Sequence, residues 1–180
     1  MTTTQHPLRL EGTLVFDHLK RVRADLATMN RLLPEAERIA RQQGDELPSA
    51  EHLVAAAFSL DDGIAAAVLT AHEVDQDRWM DAVRQQHQDA LESIGISVND
   101  ATLERHAPEP RPATGPLRSR ESLREAFQRA VSLAKQDNRP LTSGHVLLAA
   151  IQTDHGTVPR TLARLGLDRT ALLAELRARL

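Results

Sequence analysis

Apolar residues recur along the chain with the three-to-four spacing of an α-helix. Near the N-terminus this spacing is carried by Phe16, Leu19, Val22, Leu26, Met29 and Leu33. Such a row forms one apolar stripe on a helix. β-Branched residues nowhere alternate with polar ones over the length of a strand. The pattern therefore predicts an all-α protein.

Proline and glycine mark the predicted ends of the first helices. Pro34 is predicted to break or restart the N-terminal helix, because a proline in a helix interior removes a backbone hydrogen bond. Residues 35–43 are then predicted to form a further helix. Gly44 is predicted to close that helix in the left-handed conformation.

One set of helix signals occurs twice. A shift of 93 positions superimposes His145 on His52. Without a gap, the same shift pairs Ala149 with Ala56, Ala150 with Ala57, Asp154 with Asp61, Gly156 with Gly63, Leu162 with Leu69 and Asp168 with Asp75. Alanines coincide easily between helices, but the matched His, Asp, Gly and Leu residues together indicate an internal duplication.

Each copy has the same predicted joints. Ser49 and Thr142 stand where a hydroxyl oxygen can accept from the first free backbone N–H groups of a helix. A Gly turn, a short helix and an Asp N-cap then lead to a last helix in both copies. The inward residues of these last helices are predicted to be Trp79, Met80, Val83, Leu172, Leu173 and Leu176.

A proline-rich stretch separates the two copies. Residues 107–116 read "APEPRPATGP", which is incompatible with a regular helix or strand and predicts a semi-extended linker. After it, Ser119 or Ser122 is predicted to cap the next helix. Ser122 and Glu125 have the spacing of a capping box.

The composition removes several classes of protein. The 180 residues contain no cysteine, so neither a disulfide nor a thiolate site is possible. The formal net charge is -3 and aromatic residues make up 2% of the chain, which argues against a nucleic-acid partner. The sequence has no basic-then-apolar leader and no apolar run of roughly 18 residues. We therefore expect a cytoplasmic protein without a membrane partner.

The duplicated unit resembles the Clp N-terminal repeat, or Clp R domain. The resemblance is carried by "SAEHLVAAAF…DDGIAAAVLTAHEVD" and "TSGHVLLAAI…DHGTVPRTLARLGLD". Repeats of that family typically read like "TPEHLLLALL…GVAARVLAELGVD", and they form the substrate- and adaptor-binding head of ClpC- and ClpA-type unfoldases. The resemblance implies two helical repeats related by a pseudo-twofold axis and packed on each other, with an extra N-terminal helix.

The resemblance also implies a division of the chain into four parts. Residues 1–32 would form an N-terminal extension with a helix, 33–106 the first repeat with a connecting helix, 107–116 the linker and 117–180 the second repeat. The sequence contains no "GxxxxGK[ST]" phosphate loop. We therefore expect a stand-alone member of the family without ATPase modules.

Several histidines invite a catalytic or metal-binding interpretation. His52 and His145 each stand alone in the first turn of an amphipathic helix, and their duplication favours a structural role at the helix start. The pair His72-Glu73 does not extend to "HExxH", because Gln76 occupies the place of the second histidine. No "GxSxG" serine elbow is present. We expect no catalytic residue, no metal site and no cofactor.

The resemblance offers two candidate binding residues. In some family members the glutamate before the repeat histidine binds phosphorylated arginine on client proteins, and the first copy has Glu51 there whereas the second has Gly144. Glu51 is alternatively a helix-start acid that complements the helix dipole. Family heads of the ClpC kind also use an aromatic residue in a hydrophobic groove for adaptors and cyclic peptide antibiotics. The matching position is Leu117, which is alternatively a core residue.

The expected function is that of a non-enzymatic protein- or peptide-binding module. Its partners would be Clp unfoldase or protease components, adaptors or clients, and it would modulate Clp-dependent proteolysis or sequester its ligands. The alternative is a helical DNA-binding transcriptional regulator, because short helices joined by Gly turns imitate helix-turn-helix units. A small hydrolase is a third class, for which the sequence holds no triad and no metal set.

Overall fold

The computed structural model describes residues 9–93 and 119–180, with side chains from His18 onward. Within these ranges it contains eight helices and no strand, which confirms the predicted all-α class. No helix of the described residues is long and apolar enough to cross a lipid bilayer. The linker at 107–116 and Leu117 lie outside the described residues. The helices are α1 (Arg9–Gln42), α2 (Ala50–Ala57), α3 (Ile64–Ala71), α4 (Gln76–Ser93), α5 (Glu121–Gln136), α6 (Ser143–Ile151), α7 (Thr157–Arg164) and α8 (Arg169–Arg179).

α1 runs through Pro34 without interruption, so the predicted break at that residue is wrong. The carbonyl that loses its donor to the proline belongs to Asn30, an exposed residue whose backbone water can reach. Leu32, Ala36 and Ile39 are at most 3% exposed and lie on both sides of the proline. These residues form one face that packs against α2, and this shared face holds the two halves of α1 in a single helix.

Left-handed residues close the first helix of each unit. Gly44 has φ +81°, and the backbone N–H of Asp45 donates to the carbonyl of Ala40 over 2.9 Å. This confirms the predicted glycine C-cap. Asn138 has φ +54° and closes α5 through an equivalent bond of 3.0 Å. Both ends are Schellman motifs, which satisfy carbonyl groups that the helix leaves free.

α5 begins differently from the prediction. Its N-cap is Arg120, which makes no side-chain capping bond, and Ser122 lies inside the first turn. Neither Ser119 nor Ser122 caps this helix, so the capping-box prediction is wrong. The Ser122 Oγ instead accepts a hydrogen bond of 3.4 Å from the backbone N–H of Ala50. The hydroxyl therefore serves the start of α2 rather than the start of its own helix.

The two central helices, α2 and α6, pack against each other, and every residue of both is buried. We call α1 to α4 the first unit and α5 to α8 the second unit. α1 packs on α2 as α5 packs on α6. α3 contacts α6 and α8, and its counterpart α7 contacts α2 and α4. Exchanging the units maps these contacts onto each other, which is the double repeat with a pseudo-twofold axis that the resemblance implies.

The last helix of each unit starts at an aspartate and turns its apolar face inward. Asp75 Oδ1 accepts from the backbone N–H of Arg78 over 2.8 Å, and Asp168 accepts from two backbone N–H groups of α8. Trp79 and Leu172 occupy equivalent positions in α4 and α8, and both are fully buried. The prediction that they belong to the core is confirmed.

The short helices α3 and α7 end in the same backbone conformation but with different residues. Glu73 follows α3 with φ +60°, and Gly166 follows α7 with φ +69°. A side chain with a Cβ is strained in the left-handed region, whereas glycine is not. The first unit therefore carries a local strain that the second unit avoids.

Candidate functional site

The start of α2 is fixed by a serine and a histidine. Ser49 is the N-cap, and its backbone N–H donates to His52 Nδ1 over 3.1 Å. Ser49 Oγ lies 2.8 Å from the same nitrogen. Because Nδ1 accepts a bond, the ring proton of the neutral imidazole is on Nε2. Asp45 Oδ2 lies 3.3 Å from Nε2, although the two are not aligned as a hydrogen bond.

The start of α6 repeats this arrangement. The backbone N–H of Thr142 donates to His145 Nδ1 over 3.2 Å, and His145 Nε2 lies 3.2 Å from Asp137 Oδ2. Burial lowers the pKa of His145 below its ordinary value, although the neighbouring Asp137 carboxylate works in the opposite direction. In both histidines Nδ1 is therefore occupied by the helix start, and Nε2 faces an aspartate. Neither buried ring presents a nitrogen to a metal or a substrate.

Glu51 lies in the first turn of α2 with its carboxylate almost covered. The side chain is 7% exposed, and its Oε1 is 3.9 Å from Nε2 of His87 on α4. His87 itself is 44% exposed, so this contact joins an almost covered carboxylate to a ring at the surface. Beneath them, the buried Trp79 Nε1–H donates to the backbone carbonyl of Glu51 over 3.1 Å. We call Glu51, His87 and Trp79 the Glu51 site.

The equivalent place in the second unit is filled by apolar side chains. The shift of 93 positions pairs Glu51 with Gly144 and His87 with Leu180. A Cβ added to Gly144 would lie 2.7 Å from Ile64 Cγ2 and 2.9 Å from Leu180 Cδ2. The second unit therefore has no room for a side chain where the first unit holds a carboxylate. The pseudo-twofold relation breaks at this point, and one unit alone carries the polar pair.

Further charged groups surround the start of α2. The Arg120 backbone N–H donates to the carbonyl of Pro48 over 2.9 Å, and its guanidinium is 3.6 Å from Asp45 Oδ1. Burial acts to raise the pKa of Asp45, but His52, Arg120 and His87 together hold the pKa below its ordinary value. The Asp45 carboxylate is thus stabilised in its charged form. Among the described residues, no three His, Cys, Asp or Glu side chains are grouped as metal ligands.

Two surface clefts flank α4, but neither contains Glu51. A cleft of about 470 Å³ lies between α4 and α7 and is lined by Arg78, Asp81, Ala82, Gln85, Arg164 and Leu165. A cleft of about 410 Å³ between α1 and α4 is lined by polar residues over a floor of Ile39 and Met80. Their arginines already have partners, because Arg164 pairs with Asp89 and Arg84 with Asp81.

The structure brings Glu51 next to a residue that the sequence analysis missed. His87 was not among the candidate site residues, although the shift of 93 positions pairs it with Leu180. The signal in the sequence is a histidine at a position where the other copy has a leucine that packs against the core. Ser49 and His52 are near Glu51 in the same turn, whereas Thr142 and His145 form the corresponding start in the other unit. Leu117 is outside the described residues.

The described helices define a double helical repeat with an altered helix start in one unit. Residues 27–106 match the family model of the Clp repeat (R) N-terminal domain, which confirms the resemblance to that family. No curated protein matches the chain.

Solved structures with a similar fold include the N-terminal domains of Hsp104 and ClpD. The N-terminal domain of Hsp104 from Candida albicans matches with TM-score 0.52 and 13% identity, over 81% of this chain and 84% of that one. The N-terminal domain of the chaperone ClpD from Arabidopsis thaliana matches with TM-score 0.54 and 17% identity, over 83% and 89%. A chain from structural work on a malarial protein secretion system matches with TM-score 0.56 and 17% identity, over 84% and 90%. These similarities establish the fold.

Proposed function

We propose that this protein is a non-enzymatic module that binds proteins or peptides, in the manner of the N-terminal domains of Clp unfoldases. The family match and the double-repeat fold support the proposal. The observation that carries it is the difference between the two helix starts. One holds a carboxylate under a half-exposed imidazole, and the other is packed with apolar side chains. Burial of a carboxylate is costly, so its presence in one unit alone indicates a role besides packing.

Glu51 is the proposed ligand-binding residue, and a guanidinium group is the proposed ligand chemistry. A carboxylate accepts two parallel N–H bonds from a guanidinium, which an imidazole cannot supply. The distance of 3.9 Å between His87 and Glu51 exceeds a hydrogen bond, so this contact is weak. Because His87 is on the surface, its ring can rotate into solvent. A phosphoarginine side chain of a client protein would then replace the ring and pair with Glu51.

In the cell, the module would modulate Clp-dependent proteolysis or sequester the ligands of that system in the cytoplasm. Its proposed partners are Clp unfoldase or protease components, adaptors and client proteins. Leu117 remains the proposed residue of a hydrophobic groove. The division into 1–32, 33–106, 107–116 and 117–180 is also proposed, and its first boundary falls inside the continuous helix α1.

Peptide binding measured by fluorescence anisotropy tests the Glu51 site. The wild-type protein is expected to bind a labelled phosphoarginine peptide, and the same peptide with unmodified arginine is measured beside it to separate the guanidinium from the phosphate. Glu51→Gln is expected to weaken binding by roughly tenfold or more, because a hydrogen bond to a charged group contributes about 1.5–3 kcal/mol. Glu92→Gln is the matched control, since it removes an exposed carboxylate from the same helix as His87. The control is expected to bind like the wild type.

Two negative results have different meanings. Equal binding by wild type and Glu51→Gln would remove Glu51 from the site but leave the binding module in place. If the wild type binds neither peptide, a tagged pull-down from the native host lysate, analysed by mass spectrometry, tests the module itself. Enrichment of Clp subunits, adaptors or Clp clients would support it. If none of these proteins is enriched, the similarity to Clp domains concerns the fold alone and not the function.

A further inference from the structure

The imidazole of His87 joins the Glu51 carboxylate to the surface of the protein. Its Nε2 lies 3.9 Å from Glu51 Oε1, and its side chain is 44% exposed whereas that of Glu51 is 7% exposed. In the second unit the shift of 93 positions places Leu180 at this point, and its apolar side chain packs against the core. A ring at the rim of a carboxylate site is placed to contact the part of a ligand that projects from the site.

The permanent charges near His87 are already balanced by partners. Arg120 lies 3.6 Å from Asp45 Oδ1, and His52 accepts a backbone N–H bond at Nδ1, so its ring is neutral. Burial acts to raise the pKa of Asp45, whereas His52, Arg120 and His87 lower it, so the charge of His87 acts on this carboxylate too. The charged groups beside His87 on α4 and on the neighbouring α7 form the ion pairs Arg84–Asp81 and Arg164–Asp89. Among the described residues, the cation that pairs with Glu51 within 4 Å is therefore a protonated His87.

The charge of His87 has opposite effects on two related ligands. Histidine changes its charge between pH 5 and pH 8. A protonated ring pairs with Glu51 and repels an unmodified guanidinium, which is a cation. A phosphoguanidinium also carries a phosphoryl group, which is an anion near neutral pH. The protonated ring can then leave Glu51 to the guanidinium and donate a charge-assisted hydrogen bond to the phosphoryl group.

We propose that His87 makes the Glu51 site selective for a phosphorylated guanidinium over an unmodified one. Glu51 accepts from the guanidinium N–H groups, and His87 Nε2 donates to a phosphoryl oxygen that projects toward solvent. This inference rests on the proposed function, because it requires that Glu51 binds a guanidinium group. It adds a residue of α4 that recognises the phosphoryl group and whose counterpart in the second unit, Leu180, cannot donate a side-chain hydrogen bond.

Anisotropy titrations at about pH 6 and about pH 8 test the proposal with the labelled phosphoarginine peptide and its unmodified counterpart. In the wild type, the ratio of the two affinities is expected to favour phosphoarginine more at the lower pH, by roughly fivefold, which is the effect of one unit charge about 4 Å from another in water. His87→Gln keeps a polar side chain without the charge, and its ratio is expected not to rise at the lower pH. The titration of the phosphoryl group itself is common to both proteins and cancels in this comparison.

Two further variants define the role of the charge. His87→Lys carries a cation at both pH values, so it is expected to prefer phosphoarginine at both and to lose the dependence on pH. His155→Gln is the matched control, because it removes an exposed imidazole between α6 and α7 in the other unit. It is expected to behave like the wild type. Since His87 is half exposed, urea unfolding of His87→Gln should show unchanged stability, which separates lost selectivity from lost folding.

The outcomes separate this proposal from the proposed function. If Glu51→Gln abolishes binding but His87→Gln has the same affinity ratio as the wild type at both pH values, the guanidinium site stands and the role of His87 is refuted. A preference of His87→Lys for the unmodified peptide would also refute it. If the wild type binds neither peptide, the ligand chemistry proposed for Glu51 is wrong, and the inference about His87 fails with it.

Discussion

Gly144→Ala tests the packing that makes the two helix starts unequal. The added methyl group would lie 2.7 Å from Ile64 Cγ2 and 2.9 Å from Leu180 Cδ2, both closer than atoms in van der Waals contact. Leu180 Cδ2 is the far end of a flexible side chain and can rotate away. Ile64 is β-branched with a stiff χ1 angle, so relief of this contact requires a movement of α3 against α6.

The magnitude follows from two opposing effects. An extra methyl group in a packed interior costs about 1–3 kcal/mol. Replacement of glycine by alanine in a helix stabilises by roughly 0.5–1 kcal/mol. We therefore expect Gly144→Ala to lower the free energy of unfolding by about 1 kcal/mol. In the background Ile64→Ala the contact is absent, and the same substitution is expected to be neutral or stabilising.

Urea unfolding followed by tryptophan fluorescence measures this double-mutant cycle. Trp79 is the single tryptophan of the chain and is fully buried, so its emission reports loss of the core. The expected coupling energy between Gly144 and Ile64 is roughly 1–2 kcal/mol, within the range for residues in contact. Ile64→Ala alone supplies the reference for the lost side chain.

One result would refute this reasoning. If Gly144→Ala stabilises the protein, and does so equally in the wild-type background and in the Ile64→Ala background, the site tolerates a side chain. Packing would then not explain why the second unit has a glycine at residue 144 instead of an acidic residue.

Three further predictions concern stability. Glu73→Gly relieves a left-handed glutamate at φ +60° and should raise the free energy of unfolding by about 1 kcal/mol, as measured by urea unfolding; no gain would contradict the strain. Trp79→Phe removes the indole hydrogen bond to the Glu51 carbonyl, which as part of α2 keeps its helical hydrogen bond, and should cost about 0.5–1.5 kcal/mol, visible as a lower midpoint in circular dichroism. Burial lowers the pKa of His145 in the folded state. The neutral ring therefore contributes its full share to the free energy of unfolding above the ordinary pKa of 6.5, and this contribution is lost as the pH falls below 6.5. The stability difference between wild type and His145→Gln should therefore shrink from about pH 7.5 to pH 5.5, and a constant difference would contradict the burial of a neutral imidazole.

Local signals in the sequence predicted local structure well. The glycine cap after α1, the aspartate starts of α4 and α8 and the buried Trp79 each depend on residues within one or two turns, so spacing is sufficient to find them. The predicted break at Pro34 is wrong because the continuity of α1 depends on its packing against α2, which lies outside that segment. The predicted capping role of Ser122 is wrong for a similar reason, since its oxygen accepts from the Ala50 N–H of another helix.

The candidate site was predictable only in part. Glu51 was found through the family motif, and its neighbour His87 was missed because the two are joined by packing between α2 and α4. The shift of 93 positions pairs His87 with Leu180 as it pairs Glu51 with Gly144. These pairings point to a contact between Glu51 and His87 only when the position shared by Glu51 and Gly144 is known to be buried. A contact between helices cannot be read from the spacing within either helix.

The pseudo-twofold axis within one chain has a consequence for how such a protein can change. In an assembly of two identical chains, every substitution is made at both symmetry-related positions, so a buried acid would have to be accommodated twice. A tandem duplication removes that constraint, because each half mutates separately. The half that contains Gly144 can keep the close packing between the helices, while the half that contains Glu51 acquires a charged side chain at the matching position.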